Sequence, residues 1–548
     1  MAKSSGSPKA ATLNLPPGEL LFIFSKSNPI EERTRKVREL LERLNSRRFR
    51  EDISRRVLQS VPVEALVPET YKHWRPLVHD AMFFVMSNLS AGRLAPKVIE
   101  QIDLSAEVPP EERLMRLIAK VPGLQKLGQV LARNRKLPHS LRHQLIRLEN
   151  GIRDVSPEQI HAIIREQLGD KLDEYSVEIR PSIYIEASVS AVVRFTWRNP
   201  ESKRRERCIF KVLKPYIPGF FSEDMDLLAR LAKYLGSRHK KYGFAPHVLS
   251  DTFNDVRRLL QHEVDFTREQ ETLKHAARLY QTVPGISIPR VIEPLCSGNI
   301  TALTEERGKK ITDAVAPMPA WRRAEVAQQL INALIAVPLF APQGDSLFHA
   351  DPHAGNLLYD SRTSELTILD WALTEHLTFE QRKNLAMLFL MIVLRDPVGA
   401  GEAILALSPP GRDGAGKARK IHDEVNRYLD GLPVKHVPGA VDAMNVLEEL
   451  AWQGVRLPRS LVMFRKALFT LDGILHDIAA PDFSMESVMV KHLVRTWTAK
   501  WRNLGAPLSP RNWVQVQCSA LLFPGRIGLR GLQAALERRP QAASPATA

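Results

Sequence analysis

The stretch Phe348-His349-Ala350-Asp351-Pro352-His353-Ala354-Gly355-Asn356-Leu357-Leu358 decides how this chain is read. Fourteen residues after Asn356 comes Leu369-Asp370-Trp371. A carboxylate, a carboxamide five residues beyond it and a second carboxylate downstream are the groups that phosphoryl transfer requires. One carboxylate orients or deprotonates the acceptor, and hard oxygen donors hold Mg²⁺ at the phosphates. Asp351 is the candidate for the first role, and Asn356 and Asp370 are the candidates for the second. The apolar residues on either side predict short strands that hold the loop. His349-x-Asp351-x-His353 also fits an alternating zinc set, but Pro352 and Asn356 suit the phosphotransfer loop better.

Such a site needs a lysine on a strand to pair the nucleotide phosphates. Cys208-Ile209-Phe210-Lys211-Val212 provides Lys211 between apolar neighbours, with Lys214 as the competitor ahead of Pro215. The lysine in turn needs a carboxylate from the following helix. Glu263, Asp265 and Glu269 are the candidates, and the sequence does not choose among them. The segment expected to cover the phosphates is Ile185-Glu186-Ala187-Ser188-Val189-Ser190-Ala191-Val192. It has no glycine, so Cβ groups restrict backbone approach to a nucleotide. Gly411 to Lys417 matches G-x4-G-K. Ala418 stands where a Ser or Thr is needed and no strand precedes it, so the segment reads as a flexible insertion.

Around these motifs the hydrophobic period predicts the frame. Strands are expected at Val177–Ile185, Val189–Trp197, Arg207–Lys214, Arg290–Cys296 and Ile300–Thr304. Short extended pieces are expected near 347–350, 356–359 and 366–370. Helices are expected over 31–58, 111–170, 219–241 and 249–281 and through most of 312–500. The fold class is α+β, two-lobed and predominantly helical. Five segments follow: 1–110 with a disordered start and basic helices, 111–175 as a helical extension, 176–310 as a first lobe with the sheet, 311–505 as a helical lobe, and 506–548 as a tail. A chain of 548 residues suits two to four such units.

With these residues in hand, the chain resembles the UbiB/AarF-type atypical kinase family, a protein-kinase-like group, from about residue 115 to 485. Leu124-Gln125-Lys126-Leu127-Gly128-Gln129 carries that family's K-x-G-Q motif. Ala187-Ser188 lies at its Ala-rich loop, Glu263-Val264-Asp265 at its E-x-D motif, and His349 to Asn356 at its H-A-D-P-H-x-G-N loop. The resemblance implies ATP and Mg²⁺ as cofactors. Ala187, Ser188, Lys211, Glu263, Asp265, Glu269, Lys126 and Gln129 are then expected around the nucleotide. It also implies that the Lys126–Gln129 helix closes over the site against protein substrates. An ATPase or unorthodox kinase activity tied to ubiquinone or other isoprenoid lipids follows. The departures are Ile185 and Glu186 in the loop, with Glu186 bringing negative charge near the phosphates, and Ala372 after Asp370-Trp371, where a glycine is usual. The alternatives are a small-molecule phosphotransferase, which leaves the K-x-G-Q segment without a role, and a catalytically weak nucleotide-binding regulator of a membrane-associated complex.

Composition sets the outer limits. Hydrophobic residues make up 44% and charged residues 25%, as in ordinary globular chains, which excludes a wholly disordered chain. The 77 basic and 61 acidic residues leave +16. That suits nucleotides or an anionic membrane surface; no base-stacking motif accompanies the charge, so nucleic acid is not expected. Three scattered cysteines argue for a reducing compartment. The apolar run Leu385 to Leu394 is too short for a span and predicts a buried helix. A cytoplasmic protein is expected, touching an anionic membrane through the basic helix 31–58 and its stripe Val37, Leu40, Leu41 and Leu44; the alternative for that helix is packing on the main body.

Overall fold

A computed structural model describes residues 17–123 (except 45, 62 and 68) and 155–479 (except 244–245, 342–343, 410–413 and 434). It also describes 483, 485, 488, 512 and 514–523. Lys126, Gln129, the first sixteen residues and the tail from Arg539 lie outside the described residues. Two compact units emerge, one of Met1–Thr267 with Val291–Thr304 and one of Arg268–Arg290 with Glu305–Ala548. The strands in chain order are β1 (Glu178–Glu186), β2 (Ser190–Arg198), β3 (Arg205–Leu213), β4 (Ile286–Ser287) and β5 (Ile300–Thr304). Then follow β6 (Lys309–Lys310), β7 (Ser346–His349), β8 (Leu357–Asp360), β9 (Glu365–Ile368) and β10 (Thr374–Leu377).

The first unit joins a helical region to an antiparallel sheet of order β1-β2-β3-β5. Alternation decides the faces. Ala191, Val193, Phe195 and Trp197 of β2 point to one side with Cys208, Phe210 and Val212 of β3, into a core closed by the helix Pro157–Leu168 through Ile160, Ile164 and Leu168. The expected strand Arg290–Cys296 is instead one bridge, Val291 to Leu303, followed by a 3₁₀ turn at Glu293–Leu295. Pro294 explains the break, because it offers no N–H to a ladder.

The helix expected over 31–58 is two helices, Ile30–Arg43 and Arg47–Gln59, with Ser46 capping the second through Phe49 N–H. Its apolar stripe does not face outward. Val37, Leu40 and Leu41 are buried in the unit's core, and Leu44 packs against that core. The membrane contact expected through these side chains is therefore corrected, since a stripe packed on Leu94 and its neighbours has no surface left to insert. A helix also occupies Pro17–Phe24, and its first two residues fall within the stretch 1–18 expected to be disordered.

The second unit holds two small sheets, β10-β7 and β4-β9-β8-β6, within helices. The apolar run 385–394 lies in the helix Phe379–Val393, where Leu385, Leu388, Met391 and Ile392 are buried. Among the described residues, no helix is long and apolar enough to cross a membrane. The end of the G-x4-G-K segment, expected as a flexible insertion, begins the helix Gly414–Gly431, and Lys417 donates to the Pro409 carbonyl.

Candidate phosphotransfer site

In the first unit, Lys211 lies on β3 opposite Thr301 of β5 and Val192 of β2. Phe210 and Val212 point into the core, so Lys211 emerges on the other face. There its Nζ lies 5.3 Å from the centre of the Phe266 ring. Phe266 follows Asp265 directly, at the break between the helices Pro246–Val264 and Phe266–Tyr280. The lysine head thus sits by the end of the E-x-D segment. Glu263 and Asp265 belong to the same unit as Lys211, and Glu269 belongs to the other.

Lys214 does not compete for the phosphates. Its Nζ pairs with Glu186 Oε1 at 2.9 Å, and both side chains are almost fully buried. This also corrects the expectation that Glu186 sets a bare negative charge near a nucleotide, because its charge is matched inside the fold. The β1–β2 connection is tight. Ala187 N–H donates to Ser190 O, and Lys214 N–H donates to Val189 O. Val189 is buried, and Ser188 nearly so. Ala187 and Ser188 thus sit in the three-residue connection Ala187-Ser188-Val189, fastened to the end of β3, not in a projecting glycine arch.

In the second unit, β7 delivers His349 to its end and β8 begins at Leu357, so the stretch from Ala350 to Asn356 is held at both ends. His349 is wholly buried and its ring joins both acidic segments. Nδ1 accepts the Asp351 N–H at 3.2 Å, and Nε2 donates to the Asp370 carbonyl at 2.9 Å. That pattern requires the neutral ring with its proton on Nε2. Burial lowers the His349 pKa below its ordinary value, against the opposing pull of Asp351 and Asp370. The β8–β9 ladder sets Leu357 beside Ile368, and Leu369 N–H donates to Asn356 O. Asn356 and Asp370 are therefore brought together by register. Asn356 Nδ2 donates to the Asp351 carbonyl, which aims its Oδ1 away from that bond.

Asp370 has φ 52°, a left-handed conformation that costs free energy for a side chain with a Cβ. It is retained because its neighbours are fixed. Trp371 is fully buried, donates from Nε1 to Ile368 O, and packs on His349 and Tyr280. Arg268 donates to the carbonyls of Ala372 and Thr374. Ala372 N–H donates to Asp370 Oδ1. The triplet Asp370-Trp371-Ala372 is braced on three sides, while Asp370 as a residue is exposed. Among the described residues, no group of three or more His, Cys, Asp or Glu is placed to hold a metal ion, so His349, Asp351 and His353 are not brought together as a zinc set. An amide oxygen and one carboxylate suit Mg²⁺, which keeps water and phosphate oxygens as its other ligands.

Residues 147–403 match the ABC1 atypical kinase-like domain. That matched stretch is a little under half of the chain, and the likeness is to this domain. The stretch contains Lys211, Asp351, Asn356 and Asp370. Relatives include the Arabidopsis thaliana protein ACTIVITY OF BC1 COMPLEX KINASE 7, chloroplastic, 24% identical over 67% of this chain and 51% of its own length. A probable protein kinase UbiB of Azotobacter vinelandii is 24% identical over 50% of this chain and 49% of its own length. The match thus spans about half the length of these two relatives. A solved complex of Rv3197 with erythromycin from Mycobacterium tuberculosis is similar at TM-score 0.40 and 16% identity, covering 67% of this chain and 92% of that one.

Motif reading of the matched stretch missed three side chains that the fold brings into play. Lys214 was set aside for its place before Pro215, but its buried partner Glu186 lies in a different motif. Arg268 lies inside the E-x-D segment and gives no sign of reaching Ala372. Lys466, 3.3 Å from Asp351 Oδ1, comes from the distant helix Arg459–Ile478. The one signal for it is a cation beside the core positions Phe464, Ala467 and Leu468.

Proposed function

We propose that this chain is a Mg²⁺-dependent ATP-binding phosphotransferase or ATPase of the ABC1 class. In this reading Lys211 holds the nucleotide phosphates. Asn356 Oδ1 and the Asp370 carboxylate hold the metal, which when bound neutralises charge on the phosphates. Asp351 takes up the proton of the attacking hydroxyl or water at a carboxylate oxygen. The observation that carries the reading is the His349 ring, which ties Asp351 N–H to the Asp370 carbonyl and so fixes the base and the metal ligand as one piece. A lipophilic or isoprenoid acceptor, the ubiquinone-related role and attachment to an anionic membrane belong to the same proposal. Such attachment would rest on the basic surface, since Val37, Leu40 and Leu41 are committed to the core.

The fastened, glycine-free turn at Ala187 and Ser188 favours a second reading, a nucleotide-binding regulator with slow turnover. The two separate by experiment. Phosphate release from Mg·ATP is measured for the wild type and Asp351→Asn. The enzyme reading expects a fall of about 10²-fold or more in kcat with the base removed. Equal release from both proteins sinks the role of Asp351.

A further inference from the structure

Between Phe348 and Leu358 the loop contains no Lys or Arg. A carboxylate that receives an acceptor proton there also repels an incoming phosphoryl group, and a cation must come from elsewhere to balance it. Lys466 is so placed. Its Nζ is 3.3 Å from Asp351 Oδ1. It lies beyond the residues matched to the ABC1 domain.

The helix carrying Lys466 is fixed to the loop from both sides. Phe464 is fully buried and meets Phe348 edge-on at 5.3 Å, just ahead of His349 and Asp351. Arg459 at the start of the helix pairs with Glu375 of β10 at 3.1 Å. Ala467 and Leu468 are buried next to Lys466. The lysine head is more open than its partner: the Lys466 side chain is 34% exposed and that of Asp351 is 11% exposed. A pair this open contributes little to folding, so stability does not account for the arrangement. An ammonium has three donors. One faces Asp351, and two remain for an anion arriving from solvent.

We propose that Lys466 receives the terminal phosphoryl group of a nucleoside triphosphate beside Asp351, and so distinguishes triphosphate from diphosphate. The proposal rests on the phosphotransfer reading above. The test is calorimetry of the full chain with Mg·ATP and with Mg·ADP, for wild type, Lys466→Met, Lys466→Gln and Lys466→Arg. The expected result is about tenfold weaker ATP binding in the Met and Gln variants. ADP binding stays within about twofold, and Lys466→Arg recovers most of the ATP affinity. Unchanged ATP affinity in the Met and Gln variants overturns the proposal. An equal loss of ATP and ADP affinity also overturns it, since that marks a general structural role. A wild type that binds neither nucleotide overturns the phosphotransfer reading itself, which is distinct from a wild type that binds ATP with no help from Lys466.

Discussion

At the scale of single residues, buried charge separates what supports the site from what acts in it. Lys214 and Glu186 neutralise each other in the interior and fasten the turn that carries Ala187 and Ser188. Removing one partner takes away the charge that matches the other inside the fold. Glu186→Gln is therefore expected to lower the free energy of unfolding by about 3–5 kcal/mol. Glu186→Gln combined with Lys214→Met is expected to recover part of that loss, because two apolar or neutral groups tolerate the interior better than a single ion. Chemical denaturation of the four proteins of the cycle measures this. A single variant within about 0.5 kcal/mol of wild type would mean that the pair does not hold the turn. Lys211 lies within β3 and emerges on the face opposite the core, whereas Lys214 comes just after the strand's last residue, Leu213. Strand alternation made that visible in the sequence, whereas the Glu186–Lys214 contact joins two segments that no periodicity links.

At the scale of elements, the helix Ala91–Asp103 shows how polar side chains organise the first unit. Arg93, Lys97 and Gln101 are spaced by one helical turn, and all three are buried. They donate to the carbonyls of Lys120, Ala119 and Arg113, the first two just past the end of the helix Pro110–Ile118. Arg93 also pairs with buried Asp224 at 2.7 Å. Burial pushes the Lys97 ammonium down to about 7. The unfolded chain, with its ordinary lysine value, then binds more protons than the folded chain between about pH 7 and 10. Stability is therefore expected to rise with pH across that window, by about 1 kcal/mol per pH unit from this group. Denaturation midpoints at pH 7.0 and 9.0 for wild type and Lys97→Met check the sign. The wild type should gain more than the variant over that interval, and equal gains would contradict the assignment. The longer elements were legible from pattern, because β2, β3 and the helix Phe379–Val393 bury regular runs. Short ones such as β4 and β6, two residues each, exist only through pairing with distant partners. The stripe of Val37, Leu40 and Leu41 was legible as an amphipathic helix, but what it faces was not, because a protein core and a membrane select the same side chains.

At the scale of the whole molecule, the first unit carries Lys211 and the turn at Ala187, and the second carries Asp351, Asn356, Asp370 and Lys466. The motif residues of the second unit were readable because phosphoryl transfer constrains both type and spacing. Lys466 was not, because a lysine on a helix has many uses and its nearness to Asp351 is made only by packing. The central claim is that Asp370, held in its left-handed conformation by His349, Trp371 and Arg268, is a carboxylate ligand for the metal of Mg·ATP. Calorimetric titration of the full chain with Mg·ATP, for wild type and Asp370→Asn, tests it most directly. The wild type is expected to bind, and the variant, which keeps the shape but loses the charge, is expected to bind at least about tenfold more weakly. Equal affinity in the two proteins would contradict the claim.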